Sequence, residues 1–411
     1  MHKIAQKSWS EGIFRAYDIR GRYPEEINED SAYKIARAFA RYLKLSNMEG
    51  RILKVVISAD ARESSPALKE AFLEGLSDEG AEIIDAGITT TPMHYFIVNK
   101  MDADGGAMIT ASHNPPEFNG IKLSKKGAVS IGSGAGLEEI KNDAIRGIFQ
   151  NSDGKTKGKV TKKDFFGEYI EFLNGCFPHL KSYIAKLVAG KKVPGLSFDF
   201  DGDRVLFRDE SGKAVPGDII TALLAQKYAE PGEKIVCDLR SSRAVKEEVE
   251  AKGGVAIESR VGHSFIKALM KKENAVFGGE LSGHYYFRDF FYSDSGIFAA
   301  LAVLDLIKTA QKSLSELVRP LMRHFKSEEI NFEVKDKEKI LDKVAAYFTD
   351  LPAGRQAPKI SYLDGIKVEY PDWWFNLRPS NTEDFLRLNI EASTPELLEE
   401  KRRILSDLIM K

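Results

Sequence analysis

One unit of sequence occurs twice, and it constrains most of what this chain can fold into. Val55-Val56-Ile57-Ser58 is a short apolar run that opens into Asp60-Ala61-Arg62-Glu63-Ser64-Ser65-Pro66. A helical pattern follows, with Leu68, Phe72 and Leu76 on one face, then Gly80 and a second apolar run at Glu82-Ile83-Ile84. Further on, Lys234-Ile235-Val236-Cys237 opens into Asp238-Leu239-Arg240-Ser241-Ser242, followed by Val245 and Val249 at helical spacing, Gly253-Gly254 and Val255-Ala256-Ile257. Each copy reads strand, helix, strand, which predicts a right-handed crossover and a largely parallel sheet. The recurrence over about thirty residues points to a duplicated α/β domain.

The remaining patterns set the boundaries. Ile35, Ala36, Phe39, Ala40 and Leu43 predict an amphipathic helix over Asp30 to Leu45. Asn151 to Lys163 is polar and without period, a linker, and the pattern changes again around Ser327 to Lys339. Ile366–Tyr370, Phe385–Ile390 and a terminal helix suggest a small α+β domain at the end. The expected fold is α/β: three related domains with mixed or parallel sheets, of which the second is shortened, plus a C-terminal α+β domain. Their expected spans are 1–150, 151–215, 216–324 and 325–411.

The net charge of −1 argues against nucleic-acid binding, which favours a basic excess. Cys176 and Cys237 offer neither a disulfide framework nor metal-ligand spacing, as suits a reducing compartment. The longest apolar stretch, Ile297 to Ile307, contains Asp305 and falls short of the roughly 20 residues of a membrane span. No apolar leader core follows Met1. A soluble cytoplasmic protein is expected.

Two loops carry the first candidate chemistry. Thr110-Ala111-Ser112-His113-Asn114-Pro115-Pro116 follows the apolar Gly106-Ala107-Met108-Ile109, and the two prolines force a turn at the strand exit. Such exits are where open α/β sheets bind ligands. A Ser112–His113 hydrolase dyad is disfavoured, because neighbouring side chains diverge along extended backbone and no nucleophile-elbow pattern surrounds Ser112. In isolation the segment describes a turn serine bonding its own backbone. Asp199, Asp201 and Asp203, at alternate positions after a strand, offer hard oxygen ligands to a divalent cation, with Gly202 permitting the bend. Arg204 follows, placed to clamp a phosphoryl group. An acidic surface turn and an aspartyl-phosphate phosphotransferase are the alternatives.

Glu280, Ser282 and His284 alternate on one side of what reads as an extended loop and suit sugar hydroxyls. Leu377-Arg378-Pro379-Ser380-Asn381-Thr382-Glu383 describes a phosphate cradle, or equally a capped helix start. Phe14 to Gly21, with Tyr17 and Arg20, and Arg260-Val261-Gly262-His263-Ser264 supply further basic loops.

These segments, in this order, resemble the α-D-phosphohexomutase superfamily, nearest its bacterial phosphomannomutase/phosphoglucomutase branch. Asn381 and Pro371-Asp372-Trp373-Trp374 are similar to that branch in particular. The resemblance covers nearly the whole chain. It implies four domains around a central cleft and transfer between C1 and C6 of mannose or glucose phosphate through a hexose 1,6-bisphosphate. By this resemblance Ser112 is expected to carry the phosphoryl group, and Asp199, Asp201 and Asp203 to hold Mg²⁺ with a phosphoserine oxygen. Lys122, with His113 or Arg20, would serve proton transfer and charge stabilisation. Glu280 and Ser282 would bind sugar hydroxyls, with Tyr17, Arg260, His263 and His284 as further substrate contacts. Arg378, Ser380, Asn381 and Thr382 would hold the phosphate that is not transferred. Expected partners are small hexose phosphates, with no nucleic acid and no membrane, and the chain is a monomer or weak homo-oligomer.

Two departures accompany the resemblance. Glu383 is followed by Asp384-Phe385 in place of the usual proline, adding negative charge beside a phosphate site. The second domain lacks several dozen residues before the Asp loop, so the alternative is a weakened or non-enzymatic sugar-phosphate binder with a displaced metal loop.

Overall fold

A computed structural model describes residues 9–46, 50–147, 149, 157–349, 357–380 and 385–410. The chain divides into two compact units, Met1–Leu206 with His284–Asp305, and Phe207–Gly283 with Leu306–Lys411.

The first unit is built on one mixed sheet. Its elements are β1 (Ile19–Arg22), α1 (Glu29–Ser46), β2 (Lys54–Ala59), α2 (Ser65–Asp78), β3 (Glu82–Ile88), α3 (Thr91–Lys100), β4 (Gly105–Ile109), β5 (Phe118–Lys125), β6 (Val129–Ser130), α4 (Leu137–Arg146) and β7 (Val160–Lys162). The sheet runs β1-β5-β4-β2-β3-β7, with β6 on β5. Strands β2, β3, β4 and β7 are parallel, and β5 is antiparallel to β4. Val55, Val56 and Ile57 are wholly buried, as a strand covered by helices on both faces must be. Strand β7 falls in the stretch expected to be a linker, yet it lengthens the first sheet by pairing Val160–Lys162 with Ile83–Asp85.

The shortened segment continues with α5 (Phe166–Cys176), α6 (Lys181–Val188), β8 (Leu196–Phe198) and β9 (Val205–Arg208). It has too little chain for a core of its own, and its apolar residues turn to neighbours within the unit. Phe165, Tyr169 and Leu173 are fully buried. Phe172 stands 5.1 Å from Phe96 of α3 and 5.9 Å from Phe290, and Phe177 stands 4.8 Å from Phe298, centroid to centroid.

The second unit carries the repeat: β10 (Ala214–Val215), α7 (Gly217–Tyr228), β11 (Lys234–Asp238), α8 (Arg243–Ala251), β12 (Val255–Ser259), α9 (His263–Glu273) and β13 (Phe277–Gly279). Strand β11 lies between parallel β12 and β13, as β2 lies between parallel β3 and β4. The duplication seen in sequence is therefore a duplication of topology.

Chain returning to the first unit forms β14 (Tyr285–Phe287), antiparallel β15 (Ser293–Asp294) and the start of α10 (Gly296–Ala310). After α11 (Leu314–Val318) the second unit closes with β16 (Phe325–Lys326), β17 (Ile330–Glu333), α12 (Lys337–Thr349), β18 (Lys359–Ser361), β19 (Ile366–Glu369), β20 (Trp373–Pro379), β21 (Phe385–Ala392) and α13 (Pro395–Met410). Their sheet is antiparallel, with β21 and β20 at its centre. It buries Phe375, Leu377, Leu386, Leu388 and Ile390 under Val344 and Leu405. Among the described residues no helix is long and apolar enough to cross a membrane.

Candidate active site

Ser112 leaves β4 with φ +50° and is 2 % exposed. That left-handed conformation brings its Oγ within 3.3 Å of His113 Nδ1. The expectation that these neighbouring side chains diverge fails here, because it assumed extended backbone. The Ser112 hydroxyl also donates to Asp199 Oδ2 at 3.2 Å, and its backbone N–H donates to Thr110 Oγ1 at 2.9 Å. Arg20 reaches the same loop through Asn114 Oδ1 at 2.6 Å and pairs with Asp18. Tyr17 is half-buried, in a segment tied by the Ser133 N–H to the Ala16 carbonyl.

The acidic loop follows β8, and elements of its own unit hold it. Thr91, opening α3, donates its N–H to the Asp201 carbonyl at 2.8 Å and its hydroxyl to Asp201 Oδ2 at 2.7 Å. Gly202 turns at φ +73°, where a side chain would be strained. The N–H of Gly296, at the start of α10, donates to the Gly202 carbonyl at 3.2 Å. Lys122, from β5, places its ammonium 2.6 Å from Asp201 Oδ2 and also pairs with Asp203. These contacts keep the loop beside Ser112, and nothing here favours the alternative of a displaced metal loop.

Carboxylate atoms of Asp199, Asp201 and Asp203 lie within 4.8 Å of one another. Asp201 Oδ1 and Asp203 Oδ1 are buried with no hydrogen-bond partner among the described residues, a donor set that a hard divalent cation satisfies. Burial, then the Asp203 and Asp201 charges, push the Asp199 carboxyl up to about 8. Burial opposes the Lys122 ammonium, but the Asp201 and Asp203 charges outweigh it and hold its pKa well above the ordinary value. Burial, then the Arg204 and Arg20 charges, lower His113 to about 4.

His284 is not on an extended loop with Glu280 and Ser282. The Gly283 N–H donates to the Glu280 carbonyl and makes a turn. His284 is buried in the first unit, its Nε2 3.4 Å from Asp203 Oδ1 and 3.3 Å from Arg204 Nε. Beside it lies the buried Asp294, at 3.8 Å.

In the second unit the Ser282 hydroxyl donates to Glu280 Oε2 at 3.0 Å, and Asp238 Oδ2 fixes the loop by accepting from the Leu281 N–H at 2.9 Å. Arg378 is neither on a turn nor at a helix start but on β20. Its side chain is 3 % exposed, and its Nη2 donates to Glu329 Oε2 at 3.3 Å. Glu329 also accepts from Arg240, Arg387 and Asn389. Ser380 follows β20, while Asn381, Thr382, Glu383 and Asp384 lie outside the described residues. His263 opens α9, and Arg260 is exposed with its guanidinium 4.5 Å above the Phe265 ring.

Thr91, Asp294 and Glu329 carry no local motif and escape sequence reading. Arg62 and Arg240, by contrast, sit at matched places in the duplicated unit. A cleft of about 550 Å³ opens among Arg62, Ser112, His113, Asn114, Asp199 and Phe200.

A serine hydroxyl beside a cluster of three buried or half-buried carboxylates, at the exit of a parallel sheet, is an arrangement suited to phosphoryl transfer. Models of phosphoglucomutase/phosphomannomutase α/β/α domain I, α/β/α domain III and the C-terminal domain match residues 11–151, 216–325 and 329–406. A phosphomannomutase of Methanocaldococcus jannaschii is 36% identical, with 97% of this chain and 98% of that protein covered. The phosphomannomutase of Escherichia coli K12 is 34% identical, at 96% and 98% coverage. A solved phosphoglucomutase/phosphomannomutase family protein from Burkholderia thailandensis superposes with TM-score 0.82 at 26% identity, over 98% of each chain. The chain belongs to the phosphoglucomutase/phosphomannomutase family and is a phosphohexomutase.

Proposed function

We propose that the chain interconverts the 1- and 6-phosphates of mannose and glucose through phosphorylated Ser112. The observation that carries this reading is the 3.2 Å approach of Ser112 Oγ to the acidic loop; the phosphomannomutases among its relatives support the choice of sugar. The free hydroxyl oxygen of a hexose monophosphate attacks phosphorus, the bond from phosphorus to Ser112 Oγ breaks, and the bisphosphate forms. His113, neutral near pH 7, takes the hydroxyl proton and can hand it to the departing Ser112 Oγ 3.3 Å away, while the Lys122 ammonium and the Arg20 guanidinium offset the charge on that oxygen. The bisphosphate reorients and returns its other phosphoryl group to Ser112, leaving the isomeric monophosphate.

Asp199, Asp201 and Asp203, with a phosphoserine oxygen, would hold Mg²⁺, which supplies charge neutralisation during transfer. Arg204 clamps the transferring group. Glu280, Ser282, Arg260 and His263 bind the sugar. Arg378, Ser380, Asn381 and Thr382 hold the resting phosphate. A coupled assay on mannose 1-phosphate and glucose 1-phosphate, with and without Mg²⁺, tests the reading. Mg²⁺-dependent turnover of both is expected, and full turnover by Ser112→Ala would overturn it.

A further inference from the structure

Resting on the reading of Ser112 as phosphoryl carrier, we infer that Arg62 is the positioning residue that fixes the Ser112–Phe118 backbone and so keeps Ser112 Oγ at the acidic loop. Arg62 lies just beyond β2, its side chain 4 % exposed. Each of the five N–H donors of a guanidinium has an acceptor here. Nε donates to Asp60 Oδ2 at 3.1 Å. Nη1 donates to the carbonyls of Pro115 at 2.8 Å and Phe118 at 3.1 Å. Nη2 donates to those of Ser112 at 2.5 Å and Asn114 at 2.8 Å.

Four backbone carbonyls of one short loop therefore converge on one side chain. The loop needs such a tie. Pro115 and Pro116 have no N–H to give, and Ser112 holds a left-handed conformation uncommon for a residue with a side chain. The same guanidinium carbon stands 4.9 Å from the ring centroid of Phe200, the residue between Asp199 and Asp201. One side chain thus touches both the phosphoryl-carrying loop and the acidic loop.

The duplicated unit supplies an internal control. In the second copy Arg240 pairs with Asp238 through its backbone N–H and Nε, as Arg62 pairs with Asp60, but its Nη2 also stays on Asp238. Its Nη1 goes instead to Glu329. The Asp–Arg pair is common to both copies and belongs to the fold; the clamp on backbone carbonyls is found where the serine loop follows. A lysine, with its three donors on a single nitrogen, cannot span that set of acceptors.

The test compares Arg62→Ala, Arg62→Lys and Ser112→Ala in the full chain, each checked for folding by circular dichroism and thermal melting. Both Arg62 variants are expected to fold and to lose kcat by about 100-fold or more, the loss that a misplacement of about 1 Å produces. KM for hexose 1-phosphate stays within about threefold of the parent, since binding of the resting phosphate is untouched. Guanidinium ion at tens of millimolar should restore part of the kcat of Arg62→Ala and none of that of Arg62→Lys, whose ammonium fills the site. A folded Arg62→Ala with kcat within about threefold of the parent, or a loss confined to KM, overturns the inference. Failure of both variants to fold overturns it too, since Arg62 would then serve global stability. Full turnover by Ser112→Ala would instead remove the reading on which the inference rests.

Discussion

Ser112 Oγ lies 3.2 Å from Asp199 Oδ2, although the segment that delivers Asp199 is too short to form a core of its own. The acidic loop reaches the serine because Thr91, Lys122 and the N-terminus of α10 hold it, and all three belong to the same unit.

This dependence makes Gly296 a sensitive position. A Cβ there would stand 2.7 Å from the Arg204 carbonyl and 2.9 Å from that of Gly202, both backbone atoms. Gly296→Ala should destabilise the protein by about 1–3 kcal/mol and raise the Mg²⁺ concentration needed for half-maximal activity. Thermal melts and a Mg²⁺ titration check both; an unchanged metal requirement would contradict the coupling of α10 to the loop.

Asp201→Asn keeps the size of the side chain and its bond to Thr91 while removing one charge from the acidic loop. Turnover at saturating Mg²⁺ is expected to fall by about 10²-fold or more, as losses of transition-state charge stabilisation do. Melting temperature should move little by comparison, because Lys122 retains Asp203.

His94 gives the fold a pH dependence of its own. It is 1 % exposed, with Nδ1 2.9 Å from Ser58 Oγ, and burial, then the Lys122 charge, lower its pKa from 6.5 to about 3. The unfolded chain takes up this proton near pH 6.5 while the folded chain does not until about pH 3, so acid favours unfolding across that window. The slope from this one group is about 1.4 kcal/mol per pH unit. Denaturant titrations at pH 7 and pH 5 should show a smaller loss of stability in His94→Gln than in the parent, whatever its stability at pH 7.

Glu329 gathers Arg240, Arg378 and Arg387. Burial would raise its pKa, but the Arg240 and Arg378 charges outweigh it and lower the carboxyl below the ordinary range. Its ionised form therefore stabilises the fold above the ordinary glutamate pKa of about 4.3, and that stabilisation is lost as pH falls below it. Glu329→Gln should lower stability at pH 7 by about 1–3 kcal/mol, with the difference shrinking under acid. An equal difference at pH 7 and pH 3.5 would contradict this role.

Much of this was legible in the sequence, for physical reasons. Periodicity and the glycines at 80 and 253–254 reveal α1, the β2-α2-β3 unit and the second copy of that unit, because strands buried on both faces and amphipathic helices leave strong patterns. The Ser112 and Asp199–Asp203 loops are legible because the proposed chemistry calls for particular side chains at short spacing. Alternation puts His284 beside Glu280 and Ser282, but the turn closed by the Gly283 N–H breaks the extended backbone that alternation assumes. The Arg378 segment has the composition of a turn, yet cross-strand pairing with Arg387 keeps it in β20. Glu329 and Thr91 act only through tertiary contact, and such contacts leave no local signature.

The most direct test follows the phosphoryl group itself. The full chain is mixed with hexose 1,6-bisphosphate carrying radiolabelled phosphate, quenched on the millisecond scale, and digested to locate the label. Label on the peptide containing Ser112, chased into hexose monophosphate by unlabelled hexose 1-phosphate at a rate matching kcat, is the expected result. Label on another residue, or turnover by Ser112→Ala at the parental rate, would contradict it.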